Sequence, residues 1–132
     1  MKLFYKIEYA WDNFLRRLQR FKRGWAYSDV WSMDYWFMTT LKPMLVHLRK
    51  HHYGVPIEFE NDSDGWDKVL DEMIHCLDMM NEDNVYDHFG FGDWNSWREM
   101  TSADHANIYN IMEENKNRFF ELFSKYFYDM WD

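Results

Sequence analysis

Cysteine, proline and glycine are scarce in this sequence, and the shortage of cysteine and glycine excludes particular kinds of bond and binding loop. The single cysteine, Cys76, excludes an internal disulfide and favours a reducing compartment. No apolar run approaches the roughly 18 residues that span a bilayer, and no signal-like apolar stretch follows the start. The five glycines build no phosphate-binding loop. We therefore expect a cytoplasmic protein that does not cross a membrane.

Aromatic residues, by contrast, are abundant. They make up 21% of the chain, well above what a small core needs, while the hydrophobic share of 47% and the charged share of 29% are ordinary. A chain of 132 residues fits one helical domain, residues 1–132, with one core. The surplus rings therefore need a role besides packing.

Charge is divided unevenly along the chain. Residues 1–24 carry seven Lys or Arg against two acidic residues, a balance of +5. Residues 25–132 carry eight basic and twenty-one acidic residues, a balance of −13. The acidic part disfavours direct nucleic-acid binding, whereas the basic segment could attract an anion or pair with the acidic part.

The first helix is expected at about residues 2–23, because its apolar residues recur at spacings of three and four. Gly24 follows where a helix C-terminal glycine belongs, and the cationic last turn suits the helix dipole. The apolar stripe comprises Leu3, Ile7, Ala10, Trp11, Phe14, Leu18 and Phe21.

The second helix is expected to begin near Ser28 or Asp29 and to end near Tyr53. Pro43 lies inside its pattern and lacks a backbone donor, which predicts a kink or a break there. An irregular connection with Gly54 and a nearby proline follows.

Two further helices complete the pattern. Ser63 or Asp64 is expected to cap the third, and Thr101 or Ser102 opens a fourth that runs nearly to the C-terminus. Residues 84–101 between them hold two glycines and show no settled period. The predicted fold is all-α, an irregular bundle of about four amphipathic helices.

Four stretches of the sequence carry a resemblance that covers most of the chain: "FKRGWAYSDVWSMDYWF", "YGVP", "GWDKVLDEMIHCL" and "FSKYFYDMWD". Together they resemble a family of small bacteriophage and prophage proteins with no assigned reaction, cofactor or catalytic residue. The resemblance implies a phage-encoded protein acting in the bacterial cytoplasm. Small phage proteins of this kind often bind and disable host or defence proteins, so the resemblance favours an inhibitory binding function.

The aromatic residues outside the predicted stripes are the leading candidates for a partner-binding surface, because Trp, Tyr and Arg dominate the energetics of protein interfaces. Long connections without regular structure are also often functional. The candidates are Phe89, Phe91, Trp94 and Trp97 in the middle connection, with Trp25, Tyr27 and Trp31 as a second patch.

A small-ligand module is the first alternative. Aromatic faces beside arginines can stack on bases, so the chain could sequester a nucleotide signal. The residues concerned are Arg20, Arg23, Trp31, Trp36 and Asp34. Asp34, with aromatic neighbours, is also the best carboxylate for acid–base chemistry, although a polar position on the outer face, or burial beside an arginine, explains it better.

A metal-dependent enzyme is the second alternative. His47 and His51 lie one helical turn apart, and Glu72 and His75 have the i, i+3 spacing of carboxylate-bridged metal bundles. Both pairs are also typical of a solvated helix face. Cys76 is expected to be a small packed side chain rather than a nucleophile.

The preferred hypothesis is a non-catalytic protein without a cofactor, which engages and inhibits a bacterial host or defence protein. An acidic surface could occupy a groove that normally holds nucleic acid. A homo-oligomer is an open alternative, because surplus rings could equally be buried between two copies.

Overall fold

A computed structural model describes residues 2–131, with side chains from Phe4 to Trp131, and every regular element in that range is helical. The all-α prediction is therefore confirmed. There are six α-helices: α1 Lys2–Arg23, α2 Met33–His51, α3 Ser63–Met79, α4 Glu82–His88, α5 Trp94–Arg98 and α6 Ser102–Lys125. Short 3₁₀ segments lie at Tyr27–Ser32, Ile57–Phe59 and Phe127–Asp129. The predicted count of about four helices is too low, because the 84–101 connection contains most of α4 and all of α5.

The chain folds into two compact units, residues 1–37 and residues 38–132. The expectation of one domain stays a prediction. None of the helices in residues 2–131 combines the length and apolar character needed to cross a membrane.

The first unit contains α1, the 3₁₀ segment Tyr27–Ser32 and the first turn of α2. α1 ends as predicted, since Gly24 has a φ of +81° and its N–H donates to Arg20 O at 2.8 Å. Ala26 is the buried hydrophobic residue here. The predicted core stripe of α1 is exposed at its large residues from Ile7 onward, and the side chain of Leu3 lies outside those described.

The second helix begins later than its pattern predicts. Residues 27–32 form the 3₁₀ segment, and α2 begins only at Met33. Asp29 causes this delay, because its carboxylate accepts from Ala26 N at 2.8 Å and from the Arg20 guanidinium. This bond to the Ala26 N–H is one half of a capping box, because the Ala26 methyl group offers no acceptor for the other half.

The kink or break predicted at Pro43 is not a break, and the kink stays a prediction. α2 runs from Met33 to His51 with Pro43 inside it. Met38 and Leu45, on either side of the proline, are buried, so packing holds both halves of the helix despite the missing donor.

The second unit owes its core mainly to α3 and α6. Trp66, Leu70 and Met73 of α3 and Ile108 and Phe119 of α6 are almost fully buried. Burying a large apolar side chain stabilises a fold by about 1.5 to 3 kcal/mol, so these residues fix the position of the two helices. Asp62 rather than Ser63 or Asp64 caps α3, accepting from Gly65 N at 3.0 Å.

Candidate partner-binding groove

The second unit contains an open groove of about 640 Å³ along α4, the turn after it and the start of α5. We call it the acidic groove. Aromatic and acidic side chains predominate in its lining, which comprises Glu82, Asp83, Asn84, Tyr86, Asp87, Phe91, Gly92, Asp93, Trp94 and Trp97. Three of the four aromatic residues predicted for this connection therefore share one concave surface.

The end of α4 places Phe91 in the groove. Gly90 has a φ of +82°, its N–H donates to Asp87 O at 3.0 Å, and Phe91 N donates to Tyr86 O at 2.8 Å. These two bonds form a Schellman motif, which satisfies the last carbonyls of a helix and turns the chain back. Phe89, by contrast, is not among the lining residues and lies edge-on to His88, with ring centroids 5.0 Å apart.

The start of α5 places the two tryptophans. Asp93 caps this helix, since its carboxylate accepts from Asn95 N at 3.0 Å and from Ser96 N at 3.1 Å. Trp94 and Trp97 lie three residues apart on one helix face, and their rings stack with centroids 5.4 Å apart and planes at 14°. Both stay exposed, Trp94 at 67% and Trp97 at 44%.

His105 of α6 supports the aromatic lining from behind. Its Nδ1 shares a hydrogen bond of 3.2 Å with the Tyr86 hydroxyl, and its ring lies edge-on to Trp97 at 6.1 Å. Val85 of α4 is fully buried, which fixes the inner face of that helix. The groove therefore rests on the long helix α6 rather than on a free loop.

The charge of the acidic groove comes from four carboxylates, Glu82, Asp83, Asp87 and Asp93, with no Lys or Arg among its lining residues. The hydroxyl and backbone N–H of Ser96 lower the pKa of Asp93 from its ordinary value, so Asp93 is charged at neutral pH. Stacked indoles beside carboxylates attract cations, because the ring faces and the carboxylates are both negative.

The second predicted patch, Trp25, Tyr27 and Trp31, lies in the first unit. Arg23 covers part of it, with its guanidinium carbon 3.9 Å from the Trp25 ring centre and 4.7 Å from that of Tyr27. Arg23 Nε also donates to Trp25 O at 3.1 Å. Trp31 is 84% exposed, so it presents the largest free ring surface of the three.

The two arginines of the nucleotide alternative already have partners within the chain. Arg20 makes a two-point ion pair with Asp29, with N···O distances of 2.6 and 3.1 Å, and Arg23 is stacked on Trp25. Asp34 is exposed in the first turn of α2, and Trp36 is half-buried. A phosphate would therefore have to displace Asp29 from Arg20, which makes this alternative weaker.

The side chains proposed as metal ligands form two separate pairs. The His47 and His51 rings lie 4.5 Å apart at exposed positions of α2. Glu72 is held by Arg118 at 2.6 Å, while His75 is exposed. Throughout residues 2–131, no three His, Cys, Asp or Glu side chains gather where they could hold a metal ion.

Cys76 is buried in the core of the second unit, as predicted, at 2% exposure. Burial raises the pKa of its thiol, so the reactive thiolate is disfavoured at neutral pH. The position does not suit a nucleophile.

The hydrophobic pattern does not predict the two short helices that shape the acidic groove, although the sequence contains residues typical of their ends. Asn81 precedes Glu82 and Asp83 as an N-cap with an acidic first turn, and Gly90 marks the end of that helix. Asp93 is a second N-cap, directly before Trp94. These cues are short, so the hydrophobic period does not reveal them.

No protein-family model, curated protein or solved structure matches this chain. The resemblance to small phage proteins therefore stays a prediction, and a functional proposal rests on the geometry of the acidic groove.

Proposed function

We propose that this chain is a non-catalytic, phage-encoded binding protein that engages and inhibits a bacterial host or defence protein in the cytoplasm. The observation that carries the proposal is the acidic groove, in which the stacked Trp94 and Trp97 lie beside four carboxylates. Its partner is a protein surface rich in Lys and Arg, such as one that normally holds nucleic acid.

The aromatic lining supports a protein partner. Exposed tryptophans at the centre of a patch provide much of the binding energy when a partner excludes water from them. An Arg side chain can stack on an indole face while its guanidinium donates to a carboxylate, and the groove offers both acceptors and faces. Arginine is therefore the side chain that the acidic groove fits best.

Charge supports the same partner at longer range. Residues 25–132 carry a balance of −13, so a basic surface is steered toward this part of the chain and nucleic acid is repelled. The inhibitor would compete with nucleic acid for the same basic surface of its target.

The first test uses a defined probe, a hexa-arginine peptide, with tryptophan fluorescence as the readout. We expect the peptide to bind, and we expect Trp94→Ala and Trp97→Ala each to weaken binding at least tenfold, which corresponds to about 1.4 kcal/mol. Trp131→Ala is the matched control, because Trp131 is also 67% exposed but does not line the acidic groove. Equal binding of the peptide by all three variants would contradict the assignment of the acidic groove as the binding site.

The carboxylates are tested separately from the rings. Glu82→Gln and Asp87→Asn should each weaken binding of the peptide and reduce its dependence on salt, because exposed charges are screened over about 8 Å at physiological ionic strength. A hexa-glutamate peptide should not bind. Binding of both peptides with similar strength would contradict recognition by charge.

The inhibitory role needs the bacterial target. The protein is used to capture partners from bacterial lysate, and the retained proteins are compared with those retained by the Trp94→Ala variant. We expect a basic protein that is lost with this variant and released by added nucleic acid. Retained proteins that are indifferent to Trp94 and to nucleic acid would contradict the proposed function.

A further inference from the structure

The apolar face of α1 is a surface that the acidic groove does not explain. Phe4, Ile7, Trp11, Phe14, Leu18 and Phe21 follow one another at spacings of 3, 4, 3, 4 and 3 residues. That alternation is the heptad pattern of a coiled coil, sustained over three heptads. We call these six residues the α1 seam.

The α1 seam is exposed along its full length. Its members range from 37% exposure at Leu18 to 88% at Phe21. Trp11 and Phe14 stack on each other, with ring centroids 5.7 Å apart, which keeps the middle of the seam in order. An apolar stripe this long is a surface that a partner covers in solution.

We propose that the α1 seam pairs with the same seam of a second copy of this chain, as an antiparallel two-helix coiled coil. A helix of 22 residues is about 33 Å long, enough for three heptads. With a two-fold axis between residues 12 and 13, every layer is apolar. The layers are Phe4 with Phe21, Ile7 with Leu18, and Trp11 with Phe14, each residue meeting its counterpart in the second copy.

Charge decides the direction of the pair. Residues 16–23 of α1 carry five Lys or Arg and no acidic residue, whereas residues 2–12 carry two Lys and the acidic Glu8 and Asp12. A parallel pair would set the two clusters of five cations side by side. With the same two-fold axis, an antiparallel pair instead sets residues 16–23 beside residues 2–9 of the other copy, which carry Lys2, Lys6 and Glu8, so the repulsion is much weaker than in a parallel pair.

The polar contacts at the end of α1 lie off the seam. Arg20 pairs with Asp29 and Arg23 lies over Trp25, and neither arginine belongs to the seam. A membrane surface is the other occupant that a basic amphipathic helix can take. Residues 1–24 carry a balance of +5, so charge does not separate the two occupants, but the regular alternation of 3 and 4 residues along the seam is the period of a helix that packs on a second helix.

The test measures the mass of the full chain by light scattering over a concentration series. We expect twice the chain mass of 16.5 kDa for the natural sequence and a monomer for Trp11→Glu. Tyr9→Glu is the matched control, because Tyr9 is 63% exposed against 60% for Trp11 but lies off the seam. A monomeric natural sequence, or a dimer that survives Trp11→Glu, would overturn the proposal.

Direction and the membrane alternative are tested on the same chain. A spin label at Tyr5→Cys, in a Cys76→Ala background whose folding is checked by circular dichroism, reports the distance between copies. Antiparallel pairing offsets the labels by about 22 Å along the axis, and parallel pairing by none. A distance between the two labels that fits parallel pairing would contradict the antiparallel direction. If the chain is a monomer and sediments with anionic phospholipid vesicles, the partner of the α1 seam is a membrane surface rather than a second copy.

Discussion

At the scale of single residues, the ion pair between Arg118 and Glu72 ties α6 to α3. Arg118 Nε donates to Glu72 Oε1 at 2.6 Å, and a second guanidinium nitrogen donates to Oε2 at 3.1 Å. This two-point hydrogen bond lowers the pKa of Glu72 from its ordinary value of 4.5. Both side chains are about two fifths exposed, so solvent screens the pair.

The pair predicts a dependence of stability on pH. Because the folded-state pKa of Glu72 is depressed, its stabilisation is present above pH 4.5 and is lost as the pH falls through the folded-state pKa. Glu72→Gln should lower the free energy of unfolding by less than about 1 kcal/mol at neutral pH. The difference from the natural sequence should disappear in strong acid. Urea titrations at several pH values measure both quantities.

Glu114→Gln supplies the control for this prediction, because Glu114 is an exposed glutamate on α6 with no ion pair described. Its effect on unfolding should be small at every pH. If Glu72→Gln destabilised the protein equally in acid and at neutral pH, lost packing rather than charge would explain its effect.

The sequence predicts which side chains of α3 are exposed or buried, but it does not predict which ion pairs form. The outward position of His75 and the buried Cys76 follow from their places on or off the apolar stripe of α3. The partners of Arg20 and Arg118 lie 9 and 46 residues away, and no local pattern identifies them. Long-range pairing depends on how the elements pack, so it becomes visible only in the fold.

At the scale of elements, two short helices shape the acidic groove, and each depends on one terminal residue. α4 has seven residues and α5 has five, so neither is stable by itself. The Schellman turn at Gly90 and the N-cap Asp93 must therefore stabilise them locally.

Gly90→Ala tests the turn. A φ of +82° places any other residue in the left-handed region, which costs about 1 to 2 kcal/mol, although a methyl group there would meet no atom within 4 Å. The substitution should lower stability by that amount and weaken binding to the acidic groove, since Phe91 follows the turn. Thermal unfolding and peptide titration are the measurements.

Gly54→Ala is the matched control for the turn. Gly54 also has open space around it, but its φ is not in the left-handed region. This substitution should be neutral or slightly stabilising, because alanine reduces the freedom of the unfolded chain. Equal losses at Gly54 and Gly90 would show that backbone conformation is not the cause.

Asp93→Ala tests the N-cap of α5. Removing this carboxylate leaves the N–H groups of Asn95 and Ser96 without their acceptor, at a cost of about 1 kcal/mol. We expect α5 to fray, so the near-ultraviolet dichroism of the stacked Trp94 and Trp97 should diminish while overall helicity changes little. A full tryptophan signal in this variant would show that contacts to α6 alone hold α5.

The long helices are predictable because their apolar pattern repeats over many residues. The starts of α1, α3 and α6 lie within one or two residues of their predicted positions, and Gly24 and Thr101 mark boundaries as expected. The sequence pattern fails where polar chemistry over two or three residues decides the structure. Asp29 makes a 3₁₀ segment and Asp93 a five-residue helix, and neither leaves a periodic trace.

At the scale of the whole molecule, burial and charge are divided between the two units. Among the described residues, the buried hydrophobic side chains other than Ala26 all lie in residues 38–132. Residues 1–32 carry seven basic and three acidic side chains, a balance of +4, which leaves −12 on the rest of the chain from the net charge of −8. The sequence predicts this charge division directly, but it wrongly places the apolar stripe of α1 in a core.

Deletion of residues 1–32 tests that division. The remaining chain begins at Met33, where α2 starts, and retains every described buried hydrophobic residue except Ala26. We expect it to unfold cooperatively and to bind the hexa-arginine peptide at least as tightly as the full chain at low salt, because a charge of −12 replaces one of −8. It should also be a monomer, since the α1 seam is gone. Failure to fold would show that residues 38–132 depend on the first unit for stability, and weaker binding would show that the acidic groove needs the first unit.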